Sequence, residues 1–477
     1  MTRASARAVL LREYVAQCLR KYFEGGFRVD AAGEIPLLTC PYAMRSRAAF
    51  REAWHKRAEH PPPPPPPPSS NARVYTQTDE DTVESAAERG RWLTPSGLFA
   101  PFYGHAVRER LRVAGVTEVV EVGAGRGCLA ASVLDGNAEL RSYVTLEQST
   151  DLRAAQKARL GADPRVRVLE GDCLDAKAWT RVASTLQSMR DDHQRRRWAT
   201  IKGNSSVGRG GGYRATGNVA GGKTAIVMLE VLDNLPHDRV VRNPTTGEWL
   251  ETYVGRDGAG RLHEVEEVIS DATIRSCLSC YTSMEEESKH ALLGVAPSRL
   301  ASSVIAGMRA FIGAAGVGDY RRGCGGSSPV FLPTGFELAL DGIVRAPMDS
   351  DVSLLIADFS SLPDVLIEGE NAPLVAGARS DMATYLDSRC ERGHADILFP
   401  TNFALIEHMI REHAGDAASV DQGGHNGLRH RAVEVNSSQH FLARYLPPAS
   451  IAATTCADGY NPLLEEYLNT KVLYADL

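Results

Sequence analysis

Residues Thr117 to Glu147, TEVVEVGAGRGCLAASVLDGNAELRSYVTLE, leave this chain few folds to choose from. A short apolar strand, Val119-Val120-Glu121-Val122, runs into Gly123, Gly125 and Gly127. A helical segment, Cys128 to Leu134, follows, and then a second strand, Tyr143 to Leu146, tipped by Glu147. Strand, glycine turn, helix, strand and terminal acid form the first half of a nucleotide-binding parallel sheet, so the fold class expected is α/β and Rossmann-like. Glycines let the backbone turn sharply and leave bare main chain against which a ligand can lie. An acid at the tip of the second strand can accept both hydroxyls of a ribose.

The spacing is GxGxG rather than the dinucleotide GxGxxG, and Arg126 sits inside the turn. The shorter loop suits a nucleoside cofactor with no pyrophosphate, such as S-adenosylmethionine (SAM). An ordinary tight turn gives the same glycines; the flanking strand, helix and acid are what favour the cofactor. A third strand, Val166 to Leu169, is followed by Asp172, placed to accept a hydrogen bond from an adenine amino group or to serve as a simple turn acid. A fourth, Thr224 to Leu229, ends in Glu230 and continues Val231-Leu232-Asp233. Ligands of open parallel sheets bind outside the carboxyl ends of the strands, so Glu230 and Asp233 should face the cofactor's reactive end. Two carboxylates there can clamp a guanidinium through charge-assisted hydrogen bonds. A helix N-terminus that welcomes acids explains Asp233 almost as well.

Length and composition set wider bounds. A chain of 477 residues is long enough for two or three domains, and 43% hydrophobic with 23% charged residues is globular in type. A net charge of -6 argues against a surface that coats nucleic acid. No apolar run is long enough for a membrane span. Nine cysteines without framework spacing read as reduced thiols. Cys277 and Cys280 form a CxxC, and Cys390 lies near His394, but zinc needs a second pair at comparable spacing, so no metal is expected.

Residues 1–60 read as a basic, helical N-terminal segment. Arg3, Arg7, Arg12, Arg20 and Lys21 against the single acid Glu13 suit a mitochondrial presequence, and an ordinary first helix is the other reading. Residues 61–88 are a linker: the eight prolines Pro61 to Pro68 hold a rod of about 25 Å at roughly 3.1 Å per residue, and acidic residues follow. The catalytic domain is expected over 89–446, with disordered insertions at 188–222 and 315–330, and residues 447–477 as a C-terminal extension. The stretch 188–222 carries Arg195, Arg196, Arg197 and a glycine-rich tail with Trp198 and Tyr213, a pattern that could touch RNA but reads first as a solvated loop. A hairpin is expected from Glu248 to Val265, a fifth strand from Val352 to Phe359, a further one near Asp396 to Phe399, and helices at Phe403 to His413 and Gln439 to Tyr445.

With these residues assembled, the chain resembles the MidA-like family of SAM-dependent methyltransferases, whose mitochondrial branch contains a protein-arginine methyltransferase that assists assembly of respiratory complex I. Val120 to Leu129, VEVGAGRGCL, looks like the family's LVELGPGRGTL; Glu147 to Gln156 is similar to its EVSPxLRxxQ; Glu230 to Pro236, EVLDNLP, looks like its EFFDALP. Two positions depart from the pattern. Ser96 stands where the family's GDFxTxPE has its acid, and Leu229 where an Asn usually precedes the Glu. The resemblance implies a seven-stranded class I methyltransferase sheet, SAM as cofactor, and an arginine in a partner protein as substrate. It implies that Gly123, Gly125 and Gly127 line the methionine part of SAM, Glu147 the ribose and Asp172 the adenine. Asp233, with Glu230 beside it, is then the acid nearest the substrate. The location implied is the mitochondrial matrix, and the partner a respiratory-complex or mitoribosome assembly intermediate. An inactive assembly scaffold and an RNA methyltransferase are the alternative readings.

Overall fold

In the computed structural model, which describes residues 8–26, 46–49, 99–203, 222–292, 328–348, 350–377, 381–420 and 433–477, the opening stretch lies inside a seven-stranded sheet. Its strands in chain order are β1 (Val116–Val122), β2 (Ser142–Glu147), β3 (Val166–Glu170), β4 (Lys223–Leu229), β5 (Val352–Phe359), β6 (Val433–Ser437) and β7 (Thr470–Asp476). They lie side by side in the order β3-β2-β1-β4-β5-β7-β6. The first five of that order are mutually parallel, and β7 runs antiparallel to both β5 and β6. This is the α/β, Rossmann-like class expected from the glycine stretch.

Near-continuous apolar runs such as Ala225-Ile226-Val227-Met228 suit strands covered on both faces. Side-chain alternation sends Val120, Val144, Ile226, Met228, Leu354, Ile356 and Leu473 to one core. That core is covered by helices Ala176–Gly203, Ala272–Leu292, Thr334–Arg345 and Phe403–Val420. Val119, Tyr143, Ala225, Val227, Leu355 and Val472 face the opposite core, under Phe102–Val113, Cys128–Leu134 and Ser438–Tyr445. Because five strands share one direction, their carboxyl ends line a single edge. Gly123, Glu147, Glu170, Glu230 and Phe359 all sit there.

After β4 the chain leaves the sheet. Asp238–Arg242, Trp249–Arg256, Leu262–Val268 and Val330–Leu332 form an antiparallel sheet, including the expected hairpin. Ala395–Leu398, expected as one more strand, joins a separate three-stranded sheet with Leu374–Gly377 and Asp381–Met382. A third core lies between these additions and the N-terminal helix Leu11–Lys21. No helix among the described residues is long and apolar enough to cross a membrane.

Three expectations of organisation are corrected. The stretch 188–222 is not a loop from its start: helix Ala176–Gly203 runs through its first part. Its side chain Arg190 donates to both oxygens of buried Glu118, at 2.8 and 2.5 Å, which ties the helix to β1. Residues 204–221 lie outside the described residues, as do Pro61 to Pro68, Ser96 and residues 315–327. At the end of the second expected insertion, Val330 already belongs to strand Val330–Leu332. Residues 447–477 are no appendage, since β7 is inserted between β5 and β6.

The N-terminal segment is also built in. Val9–Leu10 adds to the Trp249–Arg256 strand, and Leu11 and Val15 are fully buried. Arg12 donates to Asp238 at 2.6 Å and to Asp271 at 3.0 and 2.5 Å, with Asp238 wholly enclosed. Thr334 donates to the same Asp238 at 2.8 Å, so three elements meet on one carboxylate. Removing one member of such a buried pair leaves the other uncompensated. Arg12→Ala should therefore lower unfolding stability by about 3 kcal/mol in urea denaturation, while Arg112→Ala, whose ion pair with Glu109 is on the surface, should leave the midpoint unchanged.

Candidate active site

The glycine turn at the end of β1 is held open by left-handed backbone. Gly123, Gly125 and Gly127 have φ of +63°, +53° and +75°. A Cβ at Gly125 would meet nothing within 4 Å, whereas one at Gly127 would fall 2.9 Å from Leu160 Cδ1. The first glycine thus keeps bare main chain facing open space, and the second lets helix Cys128–Leu134 start against helix Thr150–Leu160. Gln156 ties this turn to the next strand. Its amide donates to Gly125 O at 2.8 Å and reaches Glu147 Oε2 at 3.5 Å, while its oxygen accepts from Thr145 Oγ1 at 2.7 Å.

Glu147 is 5% exposed at the tip of β2, and its Oε1 accepts from Ser149 N–H at 3.0 Å. Burial raises its pKa, opposed by backbone N–H groups of Ser149, Gly125 and Gln148 and by the charge of Arg153. Asp172 lies two residues past β3. Its Oδ1 accepts from Leu174 N–H at 3.0 Å, as a turn acid does, and its Oδ2 stands 4.0 Å from Arg20 of the N-terminal helix. Behind the turn, Glu121 is buried and accepts from Tyr143 Oη at 2.7 Å; burial pushes it up to about 8.

The end of β4 is the most unusual part of the edge. Glu230 takes φ +53°, a left-handed conformation that costs a non-glycine residue free energy. The chain then makes the single turn Leu232–Asn234. Asp358, the penultimate residue of β5, holds that turn: its Oδ2 accepts from Leu232 N–H at 2.8 Å and Asp233 N–H at 3.2 Å. From the other side, Asp233 O accepts from Phe399 N–H at 2.7 Å, and Asn234 donates to Asp396 at 3.0 Å. His237, stacked on Phe399 at 4.1 Å and 7°, is kept neutral by burial, its pKa lowered to about 4.

Four carboxyl groups therefore crowd this end: Glu230, Asp233, Asp358 and Asp396. Among the described residues no lysine or arginine pairs with any of them. Burial raises Glu230 well above the carboxylate range, with the charge of Asp358 adding to it. Asp233 rises for the same reason, and Asp358, Glu230 and Asp396 push it further. Burial also raises Asp358, against hydrogen bonds from backbone N–H groups, and brings Asp396 to about 7. Asp233 Oδ1 is buried with no hydrogen-bond partner. Such an atom can accept from a donor, and the acids around it can pair with a cation.

The sequence residues proposed for a cofactor thus lie along the carboxyl edge of the sheet, and the model of a family described as "Putative S-adenosyl-L-methionine-dependent methyltransferase" matches residues 105–420. The chain belongs to this family. It is a MidA-like methyltransferase, and its cofactor is SAM. A solved structure from Burkholderia thailandensis with S-adenosyl-homocysteine bound is 16% identical to this methyltransferase, with a TM-score of 0.43 over 82% of this chain and 80% of its own. An uncharacterized protein of the same superfamily and organism is 16% identical, with a TM-score of 0.42 over 80% of each chain. No curated protein matches the chain.

The methyltransferase fits its cofactor on its own geometry. Gly125 offers open main chain, Glu147 a buried acceptor, and Asp233 Oδ1 an acceptor lacking a partner. Sequence reasoning missed Asp358 and Asp396 as members of the edge, although both were read at strand positions. It also gave no role to Gln156, which the EVSPxLRxxQ string contained. The signal for Asp358 was present: an acid ending an apolar strand, the rule already applied to Glu147 and Glu230.

The raised carboxyls set a pH dependence. The unfolded chain has an Asp396 pKa of about 4, and the fold raises it to about 7. Between those values the folded state binds more protons, so stability is fully present below pH 4 and falls as pH rises toward 7. Urea unfolding of the ligand-free methyltransferase should show this decline, and Asp396→Asn should make it shallower.

Proposed function

We propose that this methyltransferase transfers the methyl group of SAM to an arginine nitrogen in a partner protein. The carrying observation is the group of buried carboxyls at the ends of β4 and β5, unpaired by any described cation, with Asp233 Oδ1 open. A guanidinium brings delocalised charge and several N–H donors in one plane, which is what two adjacent acids can hold in a fixed orientation.

In this reading Gly123, Gly125 and Gly127 give the methionine part of SAM its main-chain wall, Glu147 accepts from the ribose hydroxyls, and Asp172 from the adenine amino group. SAM supplies an electrophilic methyl on a sulfonium. Glu230 and Asp233 would hold the guanidinium with one nitrogen toward that methyl, and a carboxylate of the pair would take the proton that this nitrogen gives up when the new nitrogen–carbon bond forms and the carbon–sulfur bond breaks. Asp358 acts through them: by holding two N–H groups of the Leu232–Asn234 turn it fixes where Asp233 stands. Most of the rate gain is then proximity and a preset electrostatic frame.

The mitochondrial matrix and an assembly intermediate of a respiratory complex remain the proposed place and partner, supported by the basic, acid-poor N-terminus and the family resemblance. The fold adds a constraint. Cleavage after Lys21 would remove the helix that carries Arg12 and Leu11 from the core, so a presequence would have to end before Val9 or remain attached.

Labelled methyl-SAM, the purified chain and an extract from cells lacking it test the proposal. Arginine methylation on a protein should require the chain, and Asp233→Asn should reduce it at least 100-fold, the scale of losing one positioned charge, while S-adenosyl-homocysteine still binds in calorimetry. Glu147→Ala should weaken that binding itself. Label on RNA, or binding without any transfer, contradicts the arginine reading.

A further inference from the structure

Beyond the residues that the family model spans, the chain returns to the carboxyl edge of the sheet. Tyr467 lies in the segment that leads into β7, after residue 420 where the matched region ends. Register fixes its place. β7 pairs with β5 so that Thr470 stands opposite Phe359 and Lys471 opposite Asp358, and Asn469 O accepts from Ser360 N–H at 2.7 Å. β5 in turn pairs with β4, with Ala357 opposite Leu229 and Glu230 N–H donating to Ala357 O at 2.8 Å. The segment around Tyr467 therefore rims the same strand ends that carry Glu230 and Asp358.

The ring enters from the outside. Leu468 beside it is 72% exposed, yet the Tyr467 hydroxyl is buried and has no hydrogen-bond partner. The ring meets Phe99 edge-on at 5.8 Å between centroids. Burial, and after it the charge of Glu230, raises the phenol's pKa, and Tyr103 feels the same Glu230 from helix Phe102–Val113. Two buried polar atoms at this edge, Asp233 Oδ1 and Tyr467 Oη, thus lack partners. Native proteins leave few such groups unpaired, and those that persist mark places a ligand or water completes.

We propose that Tyr467 is a substrate-binding residue of the methyl-transfer site, its hydroxyl and Asp233 Oδ1 both contacting the nitrogen group that receives the methyl. This deepens the proposed function and rests on it. A phenol hydroxyl accepts from an N–H of that group, a contact that a phenylalanine cannot make. The ligand class is a nitrogen group with several N–H donors.

Sinefungin, a SAM analogue that carries a primary amine on carbon where SAM carries its methyl sulfonium, puts several N–H donors at the position of the transferring methyl, next to the acceptor, without turnover. Isothermal calorimetry with S-adenosyl-homocysteine and with sinefungin should show wild type preferring sinefungin. Tyr467→Phe should keep its S-adenosyl-homocysteine affinity and lose about tenfold of that preference, the size of one hydrogen bond to a charged group. Asp233→Asn should lose preference in the same way. Thermal unfolding of ligand-free Tyr467→Phe should occur no lower than wild type, since the hydroxyl removed has no partner there. An unchanged preference, or equal loss of both ligands, overturns the role of Tyr467. Failure of folded wild type to bind either ligand overturns the SAM site assignment instead.

Discussion

Carboxyl groups taken out of water with no cation beside them govern this molecule's working edge. Burying an ionised carboxylate is costly, and a protein that does so either pairs the charge or keeps the proton. Asp358, Asp233, Glu230 and Asp396 have no paired cation among the described residues, and burial raises the pKa of each. Asp238 and Glu118 are paired instead, with Arg12 and Arg190, while Glu121 and Glu251 are buried on hydroxyl or backbone donors alone. What sets the edge apart is that four acids share it.

The unpaired edge exists because the surrounding architecture over-determines it. Five parallel strands bring their carboxyl ends together, and Asp358 on β5 grips the turn after β4. Phe399 grips the same turn from the three-stranded sheet, which packs against the N-terminal helix. The left-handed Glu230 is held between these supports. Strain of this sort persists where packing leaves no alternative.

Much of this was legible in the sequence because it is local. Strand runs, the glycine turn, the Ser149 cap of helix Thr150–Leu160 and the acids Glu147 and Glu230 each follow from residues adjacent in the chain. What escaped was set by distance. Asp358 lies 126 residues from the Leu232 N–H it accepts, and Arg12 lies 226 from Asp238; nothing near either residue signals its partner. The basic N-terminus likewise holds a long-range pair that its own residues do not show, Arg12 neutralising the enclosed Asp238. The start of the basic run 188–222 hides its helix for the same reason: Arg190 pairs with Glu118, 72 residues away in the chain.

The central claim is that this edge exchanges protons for a cation. Calorimetry of SAM and of S-adenosyl-homocysteine at pH 7, each in buffers of different ionisation enthalpy, counts the protons released by a sulfonium and by its uncharged counterpart. If buried acids are protonated until positive charge arrives, SAM releases measurably more protons than S-adenosyl-homocysteine, and Asp233→Asn narrows the difference. Equal proton release by the two ligands would contradict the account.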